Sequence, residues 1–327
     1  MIISRTPFRI SFAGGGSDLR SYYKTGYGAV LSTAINKFAY ITANKRFTEL
    51  IRVGYSQVEE CSSVDEIKHN LVREAMKKSG ITKGVDVSYV SDLLPAHEGS
   101  GLGSSSSITV GTLNALYAQT GKHTPAKKLA REACEIEIDI LGAPIGKQDQ
   151  YAAAYGGLNF IRFNADESVV VTPIIMKKST KQELQNNLLA FHTGVNTRSE
   201  VCLTEQKEKT EKSVNIEALD KMVALAEDLK DALRKGDITQ FGEILHKNWL
   251  FKKSLASNIS ESRIDEWYEK AKNAGAIGGK ILGSGGGGFL LFYVEPEKQD
   301  SVRQALGLRE LDFSFEPEGS KIIYVSD

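Results

Sequence analysis

The apolar and polar positions along the chain predict strands in its first part and mainly helices in its second. Apolar residues alternate over 2–13, and β-branched and aromatic residues are dense over 29–35, 38–45 and 50–55, so these segments are predicted strands. A helix is expected over 69–78, ended by Gly80, followed by an alternating strand over 85–93. Because hairpin-type strands lead into a glycine-rich loop and a helix, the pattern favours an α+β fold over a doubly wound α/β fold.

A polar stretch over 176–187 is typical of a domain junction, and we expect two domains, 1–178 and 179–327. In the first domain, Thr124 as N-cap and Pro125 at the first helical position predict a helix that runs to Leu141 and stops at Gly142. The remaining predicted strands cover 157–163, 169–174, 188–191 and 289–294. The remaining predicted helices cover 200–234, with a break near 214–215, and 241–256, 263–274 and 297–306, and a closing hairpin is predicted through 316–319.

The stretch 95–107, PAHEGSGLGSSSS, has the character of a phosphate-binding loop. Gly99, Gly101 and Gly103 allow close backbone approach, and the serines 104–107 open a helical pattern whose free N–H groups and dipole favour an anion. A flexible Gly/Ser linker would not run directly into a helix with one apolar face. The Walker A loop is excluded because no Gly-Lys pair precedes Ser or Thr, and the dinucleotide fingerprint because the spacing is G-x-G-x-G.

Four charged residues have ordinary structural interpretations when each is considered by itself. From position alone Arg9 would be a surface residue of the first strand, and Asp18, after three glycines, a turn residue or N-cap. Glu137 falls in the apolar stripe of the helix that stops at Gly142, so it needs either a basic partner or a metal ion. Asp149 would by itself be an ordinary N-cap.

The composition narrows the class of partner. The 327 residues contain 41 Lys and Arg against 41 Asp and Glu, which argues against nucleic acid or an acidic membrane surface as a partner and favours a small molecule. Three scattered cysteines fit a reducing cytosol and argue against structural zinc, and no apolar run approaches the length of a membrane span. A cytoplasmic enzyme is therefore expected. Its oligomeric state stays open, with a homodimer as one possibility.

Three motifs, in order, resemble those of the GHMP kinases, the family of galactokinase, homoserine, mevalonate and phosphomevalonate kinases. They are TPFRISFAGGGSD at 6–18, the phosphate loop PAHEGSGLGSSS, and GGKILGSGGGGF at 278–289. The segment GKQDQYAAAYGG at 146–157 is similar to the family's catalytic loop. The resemblance spans nearly the whole chain and implies a two-lobed α+β fold with the active site in the cleft between the lobes, using ATP and Mg²⁺.

The resemblance also implies roles for individual residues. Asp149 would accept the proton of the sugar hydroxyl, and Arg9 would balance charge near the transferred phosphoryl group. Mg²⁺ would be held by Ser105 and Glu137. The phosphates of ATP would be held by the loop residues Gly99, Ser100, Gly101, Leu102, Gly103, Ser104, Ser105 and Ser106. The acceptor would be bound by Gly15, Gly16, Ser17, Asp18, Arg198, Lys280, Gly285 and Gly286.

Within the family, the segments RISFAGGGSD, HTGVNTR and GGKILGSGGGGFL look like those of kinases of D-glycero-D-manno-heptose 7-phosphate, which phosphorylate the anomeric hydroxyl for surface polysaccharide synthesis. The distal phosphate of such an acceptor would need a cation, with Arg198, Arg20, Lys24 and Lys280 available. Gly15 and Gly16 replace the Glu-His pair of galactokinase, which disfavours galactose. A fucokinase-like enzyme, whose motif has tryptophan at the position of Gly16, and a sugar sensor without turnover are the alternatives.

Overall fold

The computed structural model describes residues 1–93, 101–195 and 199–326, apart from the side chain of Ser199. Its first sheet is built on two long antiparallel strands, β1 (Ile2–Ala13) and β2 (Tyr27–Lys45). The sequence predicts two strands where β2 continues without interruption. Asn36 and Lys37, which separate the two predicted strands, are accommodated by a bulge, since Pro7 pairs with Phe38 and Phe8 with Ile35.

The first sheet continues on both sides of these strands. β3 (Ile51–Gly54), β4 (Val58–Cys61) and β5 (Val85–Ser91) extend it in the order β1-β2-β5-β3-β4, with β3 and β5 parallel. β6 (Leu158–Asn164) pairs with the other part of β2 and carries β7 (Val169–Pro173). The second half of β1, which contains Arg9 and Ser11, pairs with β2.

The helices of the first half are α1 (Arg20–Tyr23), α2 (Asn70–Ser79), α3 (Ser104–Gln119), α4 (Ala126–Cys134) and α5 (Gln148–Tyr155). The sequence predicts one apolar face for α3, but its residues are buried from Ser106 to Tyr117. The reason is that α3 packs on β1 and β2 and also contacts α2, α4 and α5. Two of its polar side chains bond to backbone: Ser107 Oγ donates to Pro7 O at 2.8 Å and Thr109 Oγ1 donates to Ser105 O at 3.0 Å.

The helix that was expected to begin at Pro125 begins one residue later. Pro125 is extended, with ψ 151°, and stands where Thr124 was expected as the cap. After α4 the chain continues through a π-helical turn, Glu135–Ile140. Glu137 lies on this turn and is buried. Turns of this kind occur often at functional sites.

The second half is mainly helical around a small antiparallel sheet. Its helices are α6 (Lys178–Asn186), α7 (Ser199–Glu211), α8 (Ile216–Arg234), α9 (Phe241–Ser254), α10 (Ser262–Asn273) and α11 (Pro296–Leu306). The sheet contains β8 (Leu188–His192), β9 (Gly278–Ile281), β10 (Phe289–Tyr293) and β11 (Arg309–Glu310) in the order β11-β8-β10-β9.

The end of the chain returns to the first sheet. β12 (Lys321–Val325) pairs antiparallel with β1, so the predicted closing hairpin is wrong. The turn at 316–319 instead packs on the first half, where Gly157 N donates to Glu316 O at 2.9 Å. The division of the chain at residue 178 stays a prediction.

The cysteines Cys61, Cys134 and Cys202 are buried and free. No helix in the described ranges has both the length and the apolar character that a membrane crossing requires.

Candidate active site

Segments from both halves of the chain line one cavity. The first half supplies β1, the glycine turn that follows it, and residues 145–149 at the start of α5. The second half supplies one residue each from α7, α9 and β9 together with the loop after β9. The cavity contains most of the described side chains that the sequence predicts to be catalytic or to contact the acceptor.

Arg9 and Asp149 form a bidentate ion pair at this cavity. Arg9 Nε donates to Asp149 Oδ1 and Nη2 to Oδ2, both at 2.7 Å, while Nη1 donates to Gly101 O at 2.6 Å. The side chain of Arg9 is 5% exposed and that of Asp149 is 24% exposed. Arg9 is therefore a buried residue of β1, and Asp149 keeps lone pairs open toward the cavity.

The described part of the phosphate loop is fixed by backbone contacts. Arg9 N donates to Leu102 O at 3.0 Å, and Gly101 and Gly103 have φ of +72° and +78°. A Cβ on Gly101 would lie 2.5 Å from Leu282 O, so the loop packs backbone to backbone against the loop after β9. Gly103 precedes α3 directly, which aims the first-turn N–H groups of Ser104, Ser105 and Ser106 out of the helix end.

Asp18 lies buried at the base of the glycine turn, with 2% exposure. Its Oδ1 accepts from Gly16 N at 2.8 Å and from Gln148 Nε2 at 3.2 Å, and its Oδ2 accepts from Gln148 N at 3.2 Å. Burial raises the pKa of the Asp18 carboxyl and the charge of Asp149 raises it further, while the two backbone N–H groups oppose the shift. Asp18 does not cap α1, whose N-cap is Leu19.

Glu137 is buried behind the start of α3, and its Oε2 accepts from Gln150 Nε2 at 2.7 Å. Burial raises the pKa of Glu137 to about 7, and the Gln150 amide and the hydroxyls of Ser106 and Ser105 limit the rise. In the described part of the chain Glu137 has no ion-pair partner, which removes the basic-partner interpretation there. Ser106 Oγ is buried and lies near enough to act on the Glu137 carboxylate but makes no hydrogen bond of ordinary geometry within the described residues, so its oxygen is available to a hard cation beside that carboxylate.

Lys280 of β9 is 3% exposed, and its Nζ donates to Ser11 O at 2.9 Å and to Phe12 O at 3.4 Å. Burial, together with the cations Lys252 and Arg9, lowers its pKa to about 7. Lys252 of α9 also lines the cavity and is 4% exposed. The cavity lining within the described residues thus includes three cationic side chains against the carboxylates of Asp18 and Asp149.

Several buried polar atoms of the cavity have no hydrogen-bond partner in the described structure. They include Ser11 Oγ, Gln148 Oε1 and Ser284 Oγ. Buried polar groups in proteins are nearly always hydrogen-bonded, so these atoms mark positions for ligand or water hydroxyls. A ligand rich in hydroxyl groups would satisfy them.

Other predicted residues are not part of the cavity lining. Ser17 Oγ is used inside the glycine turn, where it donates to Gly14 O at 2.8 Å and accepts from Ala29 N at 3.0 Å. Gly285 and Gly286 pack on Ile259, whose carbonyl accepts from Gly286 N at 2.9 Å. Gly99, Ser100 and Arg198 lie outside the described residues.

Arg20 and Lys24, which the sequence offers as cations for a distal phosphate, lie apart from this lining. Arg20 pairs with Asp139 at 2.8 Å and Lys24 with Glu167 at 2.9 Å, on a half-exposed surface.

The sequence analysis missed Lys252, Gln148, Ser11 and Ser284. Lys252 left one signal: with Asn248 it interrupts the apolar stripe of α9, at helical spacing from Phe241 and Leu245. A lysine and an asparagine on the inward face of a helix need polar partners. Ser11 and Ser284 lie inside quoted motifs, but nothing in their type or spacing separates them from structural serines.

Comparison with protein families and with known proteins identifies the chain's relatives. The GHMP kinases N terminal domain matches residues 67–157, and the GHMP kinases C terminal domain matches residues 229–310. The chain is 30% identical to D-glycero-alpha-D-manno-heptose 7-phosphate kinase of Campylobacter jejuni, over 98% of each chain. It is 25% identical to the L-fucokinase/L-fucose-1-P guanylyltransferase of Bacteroides fragilis, over 93% of this chain and 35% of that protein.

A solved structure agrees with these relatives. The crystal structure of a D-glycero-D-manno-heptose 1-phosphate kinase from Bacteroides thetaiotaomicron superposes with a TM-score of 0.82 at 29% identity, over 100% of both chains. The chain therefore belongs to the GHMP kinase family and is an ATP-dependent sugar kinase with the two-lobed α+β fold that its sequence predicts.

Proposed function

We propose that the protein transfers the γ-phosphoryl group of ATP to the anomeric hydroxyl of D-glycero-D-manno-heptose 7-phosphate, giving the 1,7-bisphosphate for the synthesis of nucleotide-activated heptose and surface polysaccharide. The observation that carries the proposal is the Arg9–Asp149 ion pair, with both bonds at 2.7 Å, at a cavity with unsatisfied polar atoms. A cationic group and a base at one ligand cavity suit phosphoryl transfer to a hydroxyl.

Asp149 acts as the general base in this proposal. Its carboxylate takes the proton of the anomeric hydroxyl while the sugar oxygen forms a bond to the γ-phosphorus, and the bond from that phosphorus to the bridging oxygen breaks to release ADP. Arg9 fixes the orientation of the carboxylate through two bonds and keeps a positive charge beside the phosphoryl group. The anomeric hydroxyl is more acidic than other sugar hydroxyls, so a carboxylate is an adequate base.

The phosphates of ATP lie, in this proposal, along the loop 99–106 at the start of α3. The N–H groups of the first turn of α3 are free to bind an anion, and Gly101 and Gly103 allow a phosphate to approach them closely. Mg²⁺ would be held by Glu137 and Ser105 and would neutralise charge on the β- and γ-phosphates. No group of three His, Cys, Asp or Glu side chains that could hold a metal occurs in the described ranges, and one carboxylate with phosphates and water is usual for Mg²⁺.

The phosphorylated acceptor is supported by charge and by the relatives. The cavity has three cationic groups, Arg9, Lys252 and Lys280, against two carboxylates. The lowered pKa of Lys280 leaves it partly protonated at pH 7, but the excess is still positive and favours an acceptor with a phosphate group. The name of the Campylobacter jejuni relative also states a heptose 7-phosphate. The distal phosphate is assigned to Lys280 and to Arg198.

We further propose that residues 1–178 and 179–327 form the two lobes, with the catalytic pair in the first and Lys280 in the second. The proposed substrates place the protein in the cytoplasm, where ATP and sugar phosphates are available. The three free buried cysteines agree with that compartment.

The experiment incubates the purified protein with Mg-ATP and one acceptor at a time, and follows ADP release together with the phosphorus NMR spectrum of the product. The acceptors are the heptose 7-phosphate, the same heptose without phosphate, the heptose 1-phosphate, L-fucose and D-galactose. We expect ADP with the heptose 7-phosphate and a second phosphorus signal coupled to the anomeric proton.

The other outcomes separate the alternatives. ADP with L-fucose alone would select the fucokinase-like function, and binding of a sugar without ADP would select the sensor. Because the structural relative is named as a 1-phosphate kinase, ADP with the heptose 1-phosphate would move the accepting hydroxyl away from the anomeric carbon.

A further inference from the structure

Lys252 is a buried cation that none of the three motifs contains. It lies on α9, 4% exposed, and lines the same cavity as Arg9 and Asp149. Its bond to a described side chain goes from Nζ to Gln206 Oε1 at 3.1 Å. An ammonium group has three donors, so further donors of Lys252 are available to a ligand. A purely structural buried lysine would normally be paired with a carboxylate.

Gln206 of α7 accepts the hydrogen bond from Lys252 and does not itself line the cavity. The side chain of Gln206 is fully buried, and its Nε2 has no hydrogen-bond partner in the described structure. Gly16, with φ +109°, lies directly against it: a Cβ on Gly16 would collide with Gln206 Nε2 and lie 3.3 Å from Leu219 Cδ2. The missing side chain of Gly16 therefore makes room for the glutamine that positions Lys252.

Asp18 supplies a hydrogen-bond acceptor near the ammonium group of Lys252, which is a hydrogen-bond donor. It follows Gly16 by two residues, lines the same cavity, and is near enough for its charge to act on Lys252. Burial lowers the pKa of Lys252 to about 8, and the Asp18 carboxylate opposes that shift. A sugar hydroxyl both donates and accepts, so an ammonium and a carboxylate on one cavity wall can bind neighbouring hydroxyls of a polyol.

We propose that Lys252 binds hydroxyl groups of the sugar together with Asp18. Gln206 is the positioning residue of Lys252, and it occupies the space that a side chain at position 16 would fill. The inference rests on the proposed function, since it assumes that the cavity takes the sugar. It gives the glycine at position 16 a specific role: a larger residue there, such as the tryptophan of the fucokinase-like motif, would displace Gln206 and leave Lys252 without its partner.

The test compares Lys252→Met, Lys252→Arg and Gln206→Leu with wild type, using steady-state ADP release with the heptose 7-phosphate. Lys253→Met is the matched control, because the neighbouring Lys253 pairs with Asp265 at 2.6 Å instead of lining the cavity. We expect Lys252→Met to raise the KM for the sugar about 10- to 100-fold, the range for losing hydrogen bonds from a charged group, with the KM for ATP within about two-fold of wild type.

The remaining variants separate binding from structure. Lys252→Arg should recover part of the sugar affinity, and Gln206→Leu and Gly16→Ala should each raise the KM for the sugar. If they act through Lys252, combining either with Lys252→Met should add little. Lys253→Met should leave both KM values unchanged.

An unchanged KM for the sugar in Lys252→Met would overturn the inference and leave the proposed function standing. Absence of ADP from wild type with every sugar would instead overturn the proposed function. In that case calorimetric titration of the heptose 7-phosphate into wild type and Lys252→Met still decides on Lys252: equal dissociation constants would refute its role and a weaker one in the variant would support it.

Discussion

Replacing Lys280 by methionine tests whether the active site contains a charge that the free protein does not compensate. Lys280 Nζ reaches the backbone carbonyls of Ser11 and Phe12, and the described chain gives it no carboxylate partner. The neighbouring charges that act on it are the cations Lys252 and Arg9. Such a lysine favours the unfolded state until an anion binds beside it, so its removal should stabilise the free protein while weakening the binding of phosphorylated ligands.

The magnitude follows from the pKa of Lys280, which burial lowers from 10.5 to about 7. The difference, 10.5 − 7 = 3.5, corresponds to roughly 5 kcal/mol once the residue is fully protonated in both states, at about 1.36 kcal/mol per unit, and to about 4 kcal/mol at pH 7. The lost bonds to two carbonyls return about 1 kcal/mol each. We therefore expect Lys280→Met to be more stable than wild type at pH 7 by about 2 kcal/mol.

The pH dependence has a definite sign. Because the folded pKa is lowered, the folded protein binds fewer protons at Lys280 than the unfolded chain between pH 7 and 10.5, and the free energy of unfolding rises with pH in that window. Between pH 7 and 9 the rise due to Lys280 is about 2 kcal/mol. Lys252, with a pKa of about 8, adds about 1 kcal/mol in wild type. Because the charges of Lys252 and Lys280 act on each other, the difference between the two proteins reports Lys280 together with its coupling to Lys252.

The assay is urea unfolding of the ligand-free protein at pH 7, 8 and 9, for wild type, Lys280→Met and Lys280→Arg. The arginine variant keeps its charge over this range and should gain no stability. ADP release at pH 7 gives the functional side, where Lys280→Met should lose affinity for the phosphorylated sugar. If the methionine variant were less stable than wild type and its stability changed with pH in parallel, the charge of Lys280 would be compensated and the argument for an anionic ligand would fail.

Three further substitutions address the catalytic pair, the metal site and the phosphate loop. Asp149→Asn should lower kcat for ADP release by about 10²- to 10⁴-fold, and Asp139→Asn on the surface should not, so similar rates in the two variants would refute the base. Glu137→Gln should raise the Mg²⁺ concentration needed for half-maximal rate at least tenfold. In EDTA, wild type should lose stability as the pH rises from 4.5 to 7, because the raised pKa of Glu137 makes the folded protein bind more protons than the unfolded chain, and Glu137→Gln should not show this loss. Gly103→Ala and Gly121→Ala should each cost about 1 kcal/mol in thermal unfolding because both glycines have positive φ, yet only Gly103→Ala, whose Cβ would lie 3.3 Å from Arg9 Cγ, should lower kcat. Equal activities for the two alanine variants would show that the loop tolerates a side chain there.

The fold was predictable where periodicity is local. The alternation over 2–13 matches β1 to the residue, and Gly80 ends α2 in the left-handed conformation that favours glycine. Prediction failed where the partner of an element lies far away in sequence. α3 lost its polar face because helices pack on it from several sides, and β12 pairs with a strand about 320 residues earlier. No pattern within either segment records those neighbours.

The candidate site shows the same limit. Arg9 and Asp149 are 140 residues apart, and only the resemblance to a family suggested that they share a site. Glu137 was found by physical reasoning, because a carboxylate in an apolar stripe needs compensation. Lys252 left a signal of the same kind in α9, but its meaning depends on Gln206 and Gly16, which reach it from other parts of the fold. Contacts of this type follow from tertiary packing alone.

In the proposed function, the residues of phosphoryl transfer and the residues that select the acceptor lie in different parts of the fold. The catalytic pair, Glu137 and the start of α3 belong to one framework, since Arg9 binds both Asp149 and the loop carbonyl of Gly101. The proposed acceptor site takes Lys252 from α9 and Lys280 from β9, in the other half of the chain. Substitutions at Lys252 or Lys280 can therefore leave Asp149 in place, provided that the glycine turn still accommodates the side chain of Gln206 that packs on it. Because Gly16 contacts Gln206, the turn and α7 must change together, and a substitution at position 16 alone should alter the affinity for the sugar before it alters kcat.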